Sequence, residues 1–364
     1  MRHVACFRHL NRTRKTNKQK DMKKILFLLI PATLLLAGCN VDIKYQAIGK
    51  PYEILVLCDD DIWSDSAGYA LYDVLTEEII GLPQPESSFK VTRLAKAVGE
   101  SSKHRNIIMV ETDKSQFNKC ELAYEREMVA ESQFVVSITA PDKKQLKDYI
   151  KANGDFIREI FNGAEMERKT KEFKLSRNKD IEKKIMEKFG CEIIVPSTLT
   201  DYKESKDFIW VSDYFSNRPE IMNLVIYSYP YTSPENFSFD NFIMTRDSIM
   251  KNIKGSGPEQ YIQTDGRFTT ISEKSFRDRY LQEVRGLWFM TNVSMGGPFV
   301  SYSTVDEVNE RVIVAEIFVY APHKEKRQLV RDMEALLTSL KLPADLIIEN
   351  STMTDEVVIQ GKKQ

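Results

Sequence analysis

The apolar positions of this 364-residue chain change rhythm along its length. Between 52 and 162, short apolar runs alternate with stretches of helical period. The runs are Tyr52–Cys58, Asn106–Val110 and Phe134–Ile138, rich in Ile and Val and too short for helices. Between and after them, Tyr69, Leu71, Tyr72, Leu75 and Ile79, then Leu122, Met128 and Val129, then Leu146, Tyr149, Ile150, Phe156, Ile157 and Ile160 recur at helical spacing. Buried strands alternating with helices predict βαβ units and a mainly parallel sheet. From Glu165 to Lys188 the character changes, with 15 of 24 positions charged, which suits a linker or a solvated helix. Ile181, Ile185 and Phe189 then form one apolar stripe that Gly190 stops.

The second half reads as strands: Phe208–Tyr214, Met222–Tyr229, Phe268–Ser272, Leu281–Thr291, Phe299–Thr304 and Arg311–Tyr320. Helices are expected over about 239–253 and 324–340, the latter with Leu329, Met333, Leu336, Leu337 and Leu340 on one face. Turn chemistry in Met290–Pro298 predicts an antiparallel hairpin. Arg311–Tyr320 is apolar on both alternating faces, the mark of a central, doubly covered strand. The expected architecture is therefore an α/β domain over 51–165 and an α+β domain over 166–349. The former is built on a mainly parallel sheet, the latter on a mostly antiparallel sheet covered by helices, with the boundary near 165–180 and a loose tail over 350–364.

The N-terminus adds a different element. Lys23 and Lys24 precede an apolar run from Ile25 to Ala37, and Leu36-Ala37-Gly38-Cys39 closes it. Thirteen residues rise only about 20 Å as a helix, short of the roughly 30 Å hydrocarbon core, so the run reads as a signal segment over 1–38. Leu36-Ala37-Gly38-Cys39 resembles the lipobox of bacterial lipoproteins. The resemblance implies that Cys39 is lipidated on sulfur, becomes the first mature residue and is acylated on its new amine, inserting into membrane lipid. Residues 39–50 then form a tether. Residues 1–21 are basic and without apolar period, which favours Met22 as the true initiator.

Removal of residues 1–38 takes away nine basic groups and one acid, so the net charge moves from −1 to about −9. Such a surface repels nucleic acid. The 326 residues that remain are enough for a sizeable core. Cys58, Cys120 and Cys191 lack metal spacing; Cys58 and Cys191 lie in strand-like runs as small hydrophobes, and one disulfide among the three is left open.

Candidate chemistry is sparse. Asp59-Asp60-Asp61 follows the first strand, where ligands of open α/β sheets bind, and Asp59 with Asp61 could hold Mg²⁺. The pattern faintly resembles haloacid-dehalogenase phosphatases but has Trp63 where they carry Thr or Val; the bland account is that Asp61 caps a helix near Trp63. His104 and His323 sit in polar, solvated stretches. Tyr227, Tyr229 and Tyr231 alternate along one strand and could offer a ligand face, with Trp210, Tyr214, Trp288 and Phe289 on other strands; core packing is the bland alternative. The basic stretch Arg168–Arg177 suits a solvated linker or anionic lipid. Asp65-Ser66-Ala67 and Asp247-Ser248-Ile249 loosely resemble Bacteroidetes envelope O-glycosylation sites.

Together with the lipobox, Glu187-Lys188-Phe189-Gly190-Cys191-Glu192-Ile193-Ile194-Val195-Pro196, leading to Asp207-Phe208-Ile209-Trp210-Val211, resembles an uncharacterised Bacteroidetes lipoprotein family, a domain of unknown function. The Val-Pro opening and aromatic strand are also similar to Mog1/PsbP-like domains. The first resemblance brings no activity with it. The sequence thus points to a cell-envelope lipoprotein that binds, assembles or maintains, with an envelope protein or glycan as partner, without nucleic acid and with no cofactor predicted. The alternative is a metal-assisted hydrolase acting on an envelope polymer or phosphoester through Asp59 and Asp61.

Overall fold

The computed structural model describes residues 45–349, apart from 100–101 and 215–217. The expected signal segment, Cys39 and the tail from 350 lie outside the described residues. The first half runs β1 (Tyr45–Gln46), β2 (Glu53–Leu57), α1 (Asp60–Trp63), α2 (Ser66–Thr76), β3 (Lys90–Leu94), α3 (Lys96–Gly99), β4 (Asn106–Thr112), β5 (Glu121–Arg126), β6 (Ala130–Glu131) and β7 (Phe134–Ala140). Then come α4 (Lys143–Ala152), α5 (Gly154–Leu175) and α6 (Lys179–Phe189).

A five-stranded sheet takes the order β3-β2-β4-β7-β5. β3, β2, β4 and β7 are mutually parallel and β5 is antiparallel to β7. The three apolar runs are its centre, with Ile54, Val56, Ile108, Val136 and Ile138 facing the buried stripes of α2, α4 and α5. The segment holding Leu122, Met128 and Val129 is not a helix. Its first part is β5, an edge strand that buries little, so it shows no apolar run, and three residues at 122, 128 and 129 make no true helical repeat. β3 was unforeseen for the same reason: Lys90–Leu94 alternates along a polar edge.

α5 crosses the expected boundary. It is a single 22-residue helix whose first turns pack in the core of the first sheet, while Thr170 reaches the Ala335 carbonyl of the second half. The basic stretch is not a solvated linker: Arg168 donates to Asn106, to the carbonyls of Ser132 and Arg105, and pairs with buried Glu165. α6 follows as the Ile181, Ile185, Phe189 stripe predicts; Asn178 accepts from the Ile181 N–H at its start and Gly190, at φ 62°, ends it in the left-handed region.

The second half runs β8 (Asp201–Ser205), β9 (Phe208–Ser212), β10 (Ile221–Pro230), α7 (Phe239–Met250), β11 (Ile262–Phe276), β12 (Arg279–Met290), β13 (Gly296–Asp306), β14 (Arg311–Tyr320) and α8 (Arg327–Leu337). Its seven-stranded antiparallel sheet has the order β11-β12-β13-β14-β10-β9-β8, with β14 central as its pattern implies. α6 and α8 cover one face and α7 the other. Cys191–Val195 is not a strand; it is a buried extended segment with one bridge, Glu192 to Lys341.

Candidate ligand-binding site

Side chains alternate across the sheet, so Trp210 of β9, Asn223 of β10, Phe318 of β14 and Trp288 of β12 emerge on the α7 face. They gather at one end of the sheet, where residues 253–262 close over them beyond the end of α7. The result is a cavity of about 410 Å³ lined by Trp210, Tyr214, Trp288, Phe318, Met290 and Met295 together with Asn223 and Gln260.

The ring positions are set by hydrogen bonds. Trp210 Nε1 donates to Asn223 Oδ1 at 2.9 Å, and Asn223 Nδ2 donates to the Phe318 carbonyl at 3.2 Å. Trp288 Nε1 donates to the Val319 carbonyl at 3.2 Å, and its ring meets Phe318 edge-on with centroids 5.3 Å apart. Gln260 Oε1 accepts from the Gly257 N–H. The indole N–H groups and the Asn223 amide are thus engaged with protein atoms, leaving pre-set aromatic faces for an apolar group.

Tyr227 and Tyr229 share this face, as their alternation predicts, but they lie under α7 rather than in the cavity. Tyr227 is 1% exposed, its ring stacked on Tyr229 with centroids 6.4 Å apart. Burial pushes the Tyr227 hydroxyl far above its ordinary range and that of Tyr229 up to about 12. Beside them lies a fully buried ion pair that no periodicity in the sequence announces. Arg246 of α7 donates from Nη2 to Glu316 of β14 at 2.7 Å and from Nη1 to Thr264 Oγ1 at 2.7 Å, with its guanidinium 3.9 Å from the Phe299 ring centroid. Burial raises the Glu316 carboxyl against the pull of Arg246. The one hint was a lone acid in an otherwise apolar central strand.

The loop between β12 and β13 separates this cavity from a second, of about 770 Å³, on its other side. Trp288, Met290, Val293 and Met295 line both. The second adds Tyr320, His323 and Lys326. Gly297 permits the close approach of these strands, since a Cβ there would lie 2.0 Å from the Val319 carbonyl that receives the Trp288 indole.

The other candidates fall elsewhere. Asp60 pairs with Arg93, and Asp61 pairs with Lys143 at 2.7 Å. Asp61 lies in the first turn of α1, not at its cap; Asp59 holds the cap position without a side-chain bond, and Asp65 caps α2 through the Ala67 N–H. Among the described residues, no three His, Cys, Asp or Glu side chains form a metal-ligating group. His104 Nδ1 lies 3.3 Å from the Asn106 carbonyl, and His323 is exposed. Asp65-Ser66-Ala67 and Asp247-Ser248-Ile249 both lie at or within helices, with Asp247 accepting from Thr264. Cys58, Cys120 and Cys191 are all free thiols; Cys58 and Cys191 sit in different cores, and burial pushes Cys191 up to about 12.

Residues 47–174 match a domain of unknown function, DUF8532, and residues 178–339 match another, DUF4837. The two meet just where α5 ends. No curated protein matches the chain. Among solved structures, the Ran-binding protein Mog1p of Saccharomyces cerevisiae is 8% identical with a TM-score of 0.28, the match covering 42% of this chain and 90% of that one. A Bacteroides thetaiotaomicron protein is 6% identical with a TM-score of 0.20, covering 42% of this chain and 44% of its own. Likenesses this distant bear on no function.

Proposed function

We propose that this is a lipid-anchored, non-enzymatic protein of the cell envelope that binds a small ligand through an apolar ring or chain. The observation that carries the binding half is the aromatic cavity: Trp210 and Trp288 are oriented by their own indole N–H bonds, so ligand entry orders little that is not already ordered. The Trp210 and Trp288 indole N–H groups and the Asn223 amide are already bonded and most of the lining is aromatic or sulfur-bearing, which favours an apolar group over a glycan ring. The anchor half rests on Leu36-Ala37-Gly38-Cys39 and on the likeness to a Bacteroidetes lipoprotein family.

Two measurements test the two halves. Trp210 and Trp288 share the chain with only Trp63, so a Trp63→Phe protein reports on the cavity. Neutral 4-phenyl-1-butanol should change its tryptophan emission saturably, and Trp210→Ala should weaken that binding by at least about fivefold, as loss of one well-packed ring implies. An unresponsive parent removes the binding reading. For the anchor, protein made in a bacterial envelope from its own leader should fractionate with membranes and begin at an acylated Cys39, whereas Cys39→Ser should not. Intact Cys39 with a free thiol in membrane-free parent protein overturns that half.

A further inference from the structure

We infer that the ligand is an amphipathic oxyanion, its charge held by Lys326 in the second cavity and its apolar part by the wall around Trp288 that this cavity shares with the aromatic one; the inference rests on the binding reading above. Lys326 is 7% exposed and lines the second cavity. Its ammonium donates to the Lys324 carbonyl and pairs with no carboxylate among the described residues. Three acids nearby bond other groups. Glu86 reaches across from the first half and accepts from the main-chain N–H groups of Lys326 and Arg327, each at 2.8 Å. Glu220 pairs with Lys324, and Asp265 pairs with Arg267 at 2.7 Å. A buried ammonium without a counter-charge is costly, so a site that holds one is built to receive an anion.

The cavity is also lined by Trp288, Met290, Val293 and Met295, the residues it shares with the aromatic cavity. One molecule can therefore set a carboxylate or phosphate on Lys326 and an apolar portion on the shared wall. The chemistry common to both head groups is an oxyanion accepting a charge-assisted hydrogen bond.

The test compares 4-phenylbutyrate and phenyl phosphate with 4-phenyl-1-butanol, by tryptophan emission of the Trp63→Phe protein at constant ionic strength. At least one oxyanion should bind on the order of tenfold more tightly than the alcohol, and which one does so identifies the head group. Lys326→Met should abolish that preference while the alcohol binds as in the parent, which also shows that the variant folds. Equal affinities in the parent, or a preference that survives Lys326→Met, overturn the inference and leave the binding reading standing. If none of the three probes alters the emission, the binding reading fails and the inference with it.

Discussion

At the residue scale, the charges that hold α7 in place are the least visible part of this protein. Arg246 and Glu316 are both 0% exposed, so each is tolerable only because the other is present. Replacing one partner leaves the other buried and unpaired, whereas replacing both leaves only a packing change. Arg246→Met should therefore lose about 3–5 kcal/mol of unfolding free energy in urea, because it leaves the Glu316 carboxyl buried without its counter-charge, and Arg246→Met/Glu316→Met clearly less. If the double variant is as unstable as the single, the pair is not acting as a charge pair. The strand pattern of Arg311–Tyr320 was legible because eight of its ten residues are buried, but a period says nothing about which acid finds an arginine on a helix 70 residues away. Tyr227 and Tyr229 make the same point. Their alternation placed them together on one face, yet whether that face meets solvent or a helix is decided by where α7 docks, which is a tertiary fact.

At the element scale, what the sequence displays well is local: apolar runs, helical stripes and turn residues. β14 and the α6 stripe with its Gly190 stop follow from such patterns, while the polar edges β3, β5 and β8 do not, because a strand with one exposed face and one free edge has little apolar content to display. Two glycines separate local from tertiary causes. Gly190 is needed for its backbone, at φ 62°, so Gly190→Ala should cost about 1 kcal/mol and leave ligand affinity unchanged. Gly297 is needed for space. Gly297→Ala must displace the Val319 carbonyl or the Trp288 indole and should cost about 1–3 kcal/mol, redden the tryptophan emission and weaken 4-phenyl-1-butanol. Thermal melts paired with emission titrations distinguish the two; an emission unchanged in Gly297→Ala would mean that the strand gap does not hold the cavity wall.

At the scale of the whole molecule, a helix and a carboxylate cap reach across the two halves, while a buried charge network ties α8 to its own sheet. α5 packs on both, Glu86 caps α8 from the other half, and Glu334 of α8 receives Arg331 and Arg285. Arg285 in turn meets Glu283 at 2.8 Å, and Lys274 meets the same carboxylate at 2.8 Å. Burial opposes ionisation of Glu283, but Arg285 and Lys274 overcome it and hold its carboxyl down to about 2, against 4.5 when free. Because the folded state lets go of this proton where the unfolded chain keeps it, the stabilisation is complete above about pH 4.5 and disappears as pH falls toward 2. Glu316 and Asp332 act in the opposite sense: burial raises both, so protonating them favours the fold. The acid limb of the stability curve should therefore be carried by Glu283 rather than by the buried acids in general. Glu283→Gln should lose roughly 3 kcal/mol at neutral pH, the value of the two-to-three-unit depression, and should show a flatter fall between pH 4.5 and 2 than the parent. Urea midpoints at half-unit pH steps check this. Parallel acid limbs in the two proteins would mean that Arg285 and Lys274 do not select the ionised form, and that the contact between α8 and the sheet is held by its apolar core alone.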